Sequence, residues 1–281
     1  MENFVPLRKL ANKIIRKVLW ILDGLVWYLC VRIGITPGRK VAAGSVSIGI
    51  ATFKDRYWNC LVPLLRKLAY LFPKSELIVV ANGHVRQEEQ KTYLSKIHTY
   101  CSQFDNIKLI VHQHPVGLSA IWNQIIRNAN NDLILILNDD VDIKINFPKL
   151  ISQVLDFNPT LLTINKSWSH FVISKPVYDQ VGDFDEGLLE IGGEDDDYAA
   201  RMALNKIPIG NVKSSLIAAK LKLKDRKLKL NSYGKNMSNE ANGYSSYNSR
   251  YLAQKWLSSD KPFDGAVYVP SRKIRYWKLR G

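Results

Sequence analysis

Apolar runs of strand length recur along the first half of the chain, each closed by polar residues and followed by a helix-like stretch. Ser45–Thr52 is β-rich and leads through a polar turn, Lys54-Asp-Arg56, into an amphipathic stretch ending at Leu71. Glu76–Ala81 ends in Asn82-Gly83, residues 86–102 read as a helix, and Ile107–His112 is the third apolar run. Leu118–Asn130 reads as a helix and Leu133–Leu137 as the fourth strand. This alternation, with short connections, predicts right-handed βαβ units and a mostly parallel sheet. Past Pro148 the pattern loosens. Leu161–Ile164 and Phe171–Ser174 look like strands of a less regular half, and residues 178–186 make an acidic, Gly-containing loop.

Open parallel sheets bind ligands beyond the C-terminal ends of their strands. Thr52-Phe53, Asn82-Gly83 and the run Asn138-Asp-Asp-Val-Asp142 are all expected there. A buried strand that ends in Asp139, Asp140 and Asp142 supplies hard oxygen ligands of the kind Mg²⁺ or Mn²⁺ takes when it carries phosphate. The plainer reading is a solvated turn, since Asp and Asn are ordinary turn residues. A second acidic group, Glu194 to Asp197, follows Gly192-Gly193 and opens a helix, where negative charge complements the helix dipole. Asp197 precedes Arg201 by four residues and is expected to pair with it on the surface. Glu194 and Asp195 have no basic residue at helical spacing, and a carboxylate at a helix start beside a cleft can take a proton from a hydroxyl.

The formal net charge is +15. It is unevenly spread: residues 1–40 carry +6, residues 41–204 carry −4 and residues 205–281 carry +13. Basic ends on a mildly acidic body suit an anionic membrane surface or a phosphorylated substrate. Nucleic acid is not expected as a partner, because no binding motif accompanies the charge. The three cysteines, Cys30, Cys60 and Cys101, show no zinc spacing and read as reduced thiols.

Wound at about 100° per residue, the segment from Lys13 to Ile33 separates into two faces. Ile14, Ile15, Val18, Leu19, Leu22, Leu25, Val26, Leu29 and Ile33 fall on one side. Lys13, Arg16, Lys17, Asp23 and Gly24 fall on the other with Trp20 and Trp27 beside them, and Arg32 is the misfit. That pattern describes a helix lying in the lipid interface; the alternatives are a spanning anchor, which Asp23 and Arg32 disfavour, and a helix packed against the protein's own core. Thr36-Pro-Gly-Arg-Lys40 reads as a hinge into the globular body.

Taken together, five pieces of the sequence resemble the GT-A fold, inverting glycosyltransferases of family 2, of the bacterial surface-polysaccharide type. They are Ser47–Thr52, Leu77–Gly83, Gly117 with Asn123, Leu137-Asn-Asp-Asp-Val141, and Gly182-Asp-Phe-Asp-Glu186 running into Glu194-Asp195. The resemblance implies an α/β, Rossmann-like sheet holding a sugar-nucleotide donor at its edge. It implies donor contacts from Thr52, Asn82, Gly117, Asn138 and Asp139, and a divalent cation, Mn²⁺ or Mg²⁺, on Asp140 and Asp142. It also implies Asp195, with Glu194 beside it, as the base that deprotonates the acceptor, and an acceptor bordered by Trp168, His170 and Phe184. Two departures stand out: Asn82 replaces an aspartate common in relatives, and no histidine follows the acidic motif.

The domain expectation is an amphipathic helix and hinge over 1–40, a GT-A core over 41–205, and a basic extension over 206–281 that completes the site. The core divides into a nucleotide-binding half (41–142) and an acceptor and base half (143–205). The extension contains alternating lysines over 213–230, a loop over 231–249 and a helix over 247–256 in which Lys255 could reach a diphosphate while Trp256 packs. The functional expectation is a peripheral (monotopic) enzyme on the cytoplasmic face of a membrane, transferring sugar to a glycan or lipid-linked acceptor. Two alternatives stand beside it: a nucleotidyltransferase, for which Thr52–Arg56 lacks a glycine-rich phosphate loop, and a catalytically silent sugar- or lipid-binding scaffold.

Overall fold

The structure, a computed structural model, describes residues 4–33, 45–84, 86–157, 159–189, 191–219, 245–257, 266–267 and 278–279. A seven-stranded sheet organises the body, in the order β3-β2-β1-β4-β7-β6-β8. Its strands are β1 (Ser47–Thr52), β2 (Glu76–Ala81), β3 (Ile107–Val111), β4 (Leu133–Asn138), β6 (Leu161–Ile164), β7 (Ser167–Ser174) and β8 (Ile209–Val212). β3, β2, β1 and β4 are parallel, and β7 runs antiparallel to β4, pairing His170 with Leu137. β6 runs against β7 and parallel to β8. The short β5 (Val141–Ile143) leaves the main sheet directly after Asp140 and pairs with β9 (Ile217–Ala219).

β1 is buried along its whole length, as a strand covered on both faces must be. One face receives α2 (Val62–Leu71), α3 (Gln87–Cys101) and α5 (Phe147–Asp156), packing Leu64, Leu65 and Leu68 on Ile48, Ile50, Val79 and Leu135. The other receives α4 (Leu118–Arg127), α6 (Lys175–Val181) and α7 (Glu194–Leu204), with Ile121, Trp122 and Ile125 against Ile78, Ile134 and Ile136. Each such side chain, fully buried, contributes roughly 1.5–3 kcal/mol. Gly49 lets α4 approach β1 closely: a Cβ there would lie 2.0 Å from Ile125 Cγ2.

α1 (Phe4–Ile33) touches the body along a narrow seam. Trp27 meets Tyr70 edge-on with ring centroids 4.9 Å apart, the Tyr70 hydroxyl donates to the Cys30 carbonyl at 3.0 Å, and Ile145 N–H donates to Asp23 at 3.3 Å. Its apolar side chains remain exposed, Ile14, Leu22, Leu25 and Leu29 among them, as do Ile21 and Tyr28. The polar side expected from the winding is therefore the side that seats on the protein. Among the described residues no helix is long and apolar enough to cross a membrane. The hinge over 36–40, the lysine repeats over 220–230 and most of the aromatic tail fall outside the described residues. The C-terminal helix, α8 (Ser245–Leu257), begins two residues before the start expected from sequence.

Candidate active site

The C-terminal end of β4 is where the first acidic group lies, but its members do different things. Asp139 is fully buried, and its carboxylate accepts from the Thr52 hydroxyl at 2.7 Å and from Arg56 Nη1 at 3.0 Å. Burial pushes its pKa up to about 6, against the opposing pull of Arg56, and Asp140 pushes it further the same way. Asp140 Oδ2 lies 3.4 Å from the same Arg56 nitrogen, while Asp140 Oδ1 is buried with no hydrogen-bond partner. Asn138 Oδ1 is likewise buried and unpartnered. Asp142 points elsewhere: Lys67 Nζ and Ile143 N–H donate to its Oδ1 at 2.8 and 3.0 Å.

Two of the residues expected near a donor, Asn82 and Thr52, make hydrogen bonds within the fold. Asn82 is buried, with its Oδ1 accepting from Gly83 N–H and Val116 N–H and its amide donating to the Val116 carbonyl. It ties the end of β2 to the loop that delivers Gly117, the N-cap of α4. Thr52 orients Asp139 in the same way. Lys67 and the Ile143 N–H both engage the same oxygen of Asp142, which ties that acid to its own strand.

The second acidic group sits at the first turn of α7. Gly193, the N-cap, has φ +94°, a left-handed conformation that favours glycine, and Leu252 would lie 2.6 Å from a Cβ there. Glu194 is buried and accepts from Gly192 N–H at 2.6 Å. Burial, reinforced by the neighbouring Asp195 charge, pushes its pKa up to about 8, which favours its protonated form. Asp195 and Asp196 are half-buried on the same turn. Asp197 does pair with Arg201 (2.9 Å), yet it is fully buried rather than on the surface. It also receives Lys255 at 2.7 Å and the Trp256 indole N–H at 3.0 Å.

α8 therefore fastens the whole acidic loop, a role not legible from local spacing. Asn248 bonds the Leu189 N–H, the Leu189 carbonyl and the Gly192 carbonyl, and Lys255 bridges Asp197 to Asp185, 2.5 Å away. Burial disfavours the Asp185 charge, but the bonds from Lys255, Gly187 and Tyr251 outweigh it and hold the carboxyl below its usual range. A cleft of about 510 Å³ opens beside this bridge, lined by Arg127, Asp183, Asp185, Glu186, Arg201 and Lys255 as well as Phe184. Asn123, on α4, holds the rim by donating to the Phe184 carbonyl and Glu186 and accepting from Phe184 N–H.

The expected acceptor residues divide. Trp168 is half-buried near the end of β4, with its ring 5.2 Å from Phe171 and 6.5 Å from Tyr198. His170 is buried, and burial pushes its pKa down to about 4, so it stays neutral; its Nδ1 pairs with the Ser169 hydroxyl at 2.8 Å. The Phe184 side chain is buried: it stacks on Tyr198 at 4.0 Å and meets Trp122 at 5.0 Å, while its loop borders the cleft.

Because β7 pairs His170 with Leu137, Trp168 lies at the same end of the sheet as Asn138–Asp140. Tyr198, against Trp168, is one helical turn past Glu194 and Asp195. Trp168, at the sheet end that carries the first acidic group, thus lies against Tyr198 of the helix that opens with the second. Hard, partnerless oxygens on Asp140 and Asn138 fit a divalent cation whose remaining ligands are water and diphosphate. Among the described residues no three His, Cys, Asp or Glu side chains gather into a metal cluster. Sequence reasoning missed Arg56, although its place in the turn after β1 puts it at the same edge.

This sheet, with the acids at its edge, defines an α/β protein of GT-A class, and solved structures agree. GalNAc-T7 with UDP, GalNAc and Mn²⁺ aligns with TM-score 0.53 and 10% identity, covering 76% of this chain and 49% of that one. A Pyrobaculum calidifontis mannosyltransferase with GDP-Man and Mn²⁺ gives 0.50 and 12%, covering 78% and 70%. S. aureus TarS 1-349 with UDP-GlcNAc gives 0.50 and 15%, covering 77% and 67%. Against two other TarS structures the chain spans 59% and 61% of their length. No curated protein matches the chain. Residues 47–171 match the family model described as glycosyl transferase family 2. The matched stretch builds β1 to β6 and carries the first acidic group.

Proposed function

We propose that the protein transfers a sugar from a nucleoside-diphosphate donor to an acceptor hydroxyl with inversion, using Asp195 as the base. The observation that carries this reading is that Trp168, at the sheet end bearing the β4 acids, lies against Tyr198 of α7, the helix that opens with Glu194 and Asp195. The acceptor oxygen attacks the anomeric carbon, its proton passes to the Asp195 carboxylate, and the bond to the nucleoside diphosphate breaks on the opposite face. Glu194, neutral and bonded to Gly192 N–H, adds no second charge beside that base. Asp140, with Asn138 beside it, would hold a Mn²⁺ or Mg²⁺ ion, which when bound neutralises charge on the departing diphosphate. UDP- and GDP-linked sugars are the donor classes to try first, in line with the ligands of the solved neighbours.

The acceptor in this reading is a glycan or a lipid-linked sugar, entering past Trp168, with the enzyme held on an anionic membrane surface by α1. The exposed Leu22, Leu25 and Leu29 support lipid contact, since the opposite seam of that helix is already covered by the body. Deleting residues 1–36 is expected to release the protein from anionic vesicles; unchanged sedimentation with them contradicts the membrane reading. For the chemistry, Asp195→Asn should lower transfer by about 10²–10⁴-fold while binding of the nucleotide sugar persists. Wild-type turnover in that variant removes Asp195 from the role of base.

A further inference from the structure

We infer that Arg56 is a resident cation of the donor site, which keeps a divalent ion off Asp140 until a nucleoside diphosphate arrives to take the guanidinium. The inference rests on the reading of Asp140 as the ion-binding residue. Arg56 ends a single 3₁₀ turn (Lys54–Arg56) after β1, with its guanidinium 4.8 Å over the Phe53 ring and its side chain only 14% exposed. Burial disfavours its charge, but Asp139 and Asp140 more than offset this, and the group stays fully protonated.

Its two contacts are unequal. The bond to Asp139 is 3.0 Å long and matched by the Thr52 hydroxyl on the other carboxylate oxygen, so Asp139 is satisfied by the fold. The approach to Asp140 is a longer ion pair of 3.4 Å, and it leaves Asp140 Oδ1 buried and unpartnered. The second contact is the exchangeable one. A divalent ion on Oδ1 faces the guanidinium across a single carboxylate, and like charges that close repel strongly where water is excluded. A diphosphate relieves the conflict, because its oxygens accept from the planar fork of guanidinium N–H groups while also ligating the ion. Ion and diphosphate then favour each other's binding, and by linkage the coupling is the same whichever binds first.

The test is a Mn²⁺ titration of the full chain by calorimetry and electron paramagnetic resonance, with UDP or GDP present or absent, corrected for Mn²⁺ held by the nucleotide in solution. In the wild-type protein, Mn²⁺ should bind about tenfold more tightly with the nucleotide than without it. Arg56→Gln should tighten Mn²⁺ binding without nucleotide by about tenfold and flatten the nucleotide effect, whereas Arg56→Lys keeps the wild-type order. Circular dichroism shows whether Arg56→Gln folds, since it leaves Asp139 buried beside one hydroxyl. Should it not fold, the wild-type coupling and the Lys variant decide. Equal Mn²⁺ affinity with and without nucleotide in the wild type overturns the proposal, as does unchanged affinity in folded Arg56→Gln. Absence of Mn²⁺ binding under every condition overturns the ion reading of Asp140 as well, so the two failures are distinguishable.

Discussion

The two acidic groups are built from the same residue types and kept in place by opposite means. At the end of β4 a single buried arginine, reached from the turn after β1, neutralises Asp139 and leans on Asp140. At the start of α7 the charge is handled twice over, by a proton on Glu194 and by Lys255 and Arg201 on Asp197. The first arrangement is local to the nucleotide-binding half. The second needs a helix more than fifty residues further along the chain. What differs is the reach of the counter-charge: the arginine leans on one open oxygen of Asp140, whereas the half-buried lysine bridges two acids from separate segments.

The sharpest way to break that contrast is to remove the bridging lysine. Lys255→Met leaves Asp185 and Asp197 without their shared partner and should destabilise the fold by about 3–5 kcal/mol. Chemical denaturation measures this, and a loss within error would make α8 peripheral to the site. On the other side, Thr52→Val removes one hydroxyl donor from buried Asp139 and should cost about 2 kcal/mol. It should weaken nucleotide binding less than it weakens folding, because the Thr52 hydroxyl is donated to Asp139; isothermal titration beside denaturation separates the two.

A third effect concerns protons. Glu194 titrates at about 8 in the fold against an ordinary 4.5, so between those values the folded chain holds a proton that the unfolded chain releases. Stability from this group therefore falls as pH rises through that window, and is unaffected below it. Glu194→Gln should flatten the decline in melting temperature from pH 5 to pH 8. An identical decline in variant and wild type would mean that Glu194 is ionised in the fold.

The sheet was largely legible in the sequence because its first four strands are continuous apolar runs ending in turn residues, and β1 to β4 fall where the pattern put them. The Asp197–Arg201 pair was legible for the same kind of reason, being local to one helix. Asn82 and Thr52 were located correctly at strand ends, but their hydrogen bonds turn inward, and inward or outward is not encoded in position along a strand terminus. Phe184 illustrates the same limit: an aromatic in an acidic loop reads as exposed until Tyr198 and Trp122 are found around it. Arg56 escaped notice, and Lys255 was expected at a diphosphate and not at Asp185, because their partners lie 83 and 70 residues away, a separation that no periodicity reveals.

One measurement bears most directly on the claim that the two acidic groups serve one crevice. It is a crystal structure with a non-hydrolysable UDP- or GDP-sugar and Mn²⁺, with the ion located by anomalous scattering. The ion is expected on Asp140, the diphosphate within reach of Arg56, and the anomeric carbon facing Asp195. An ion or nucleotide bound away from β4, or an anomeric carbon turned from the start of α7, would contradict the proposed chemistry.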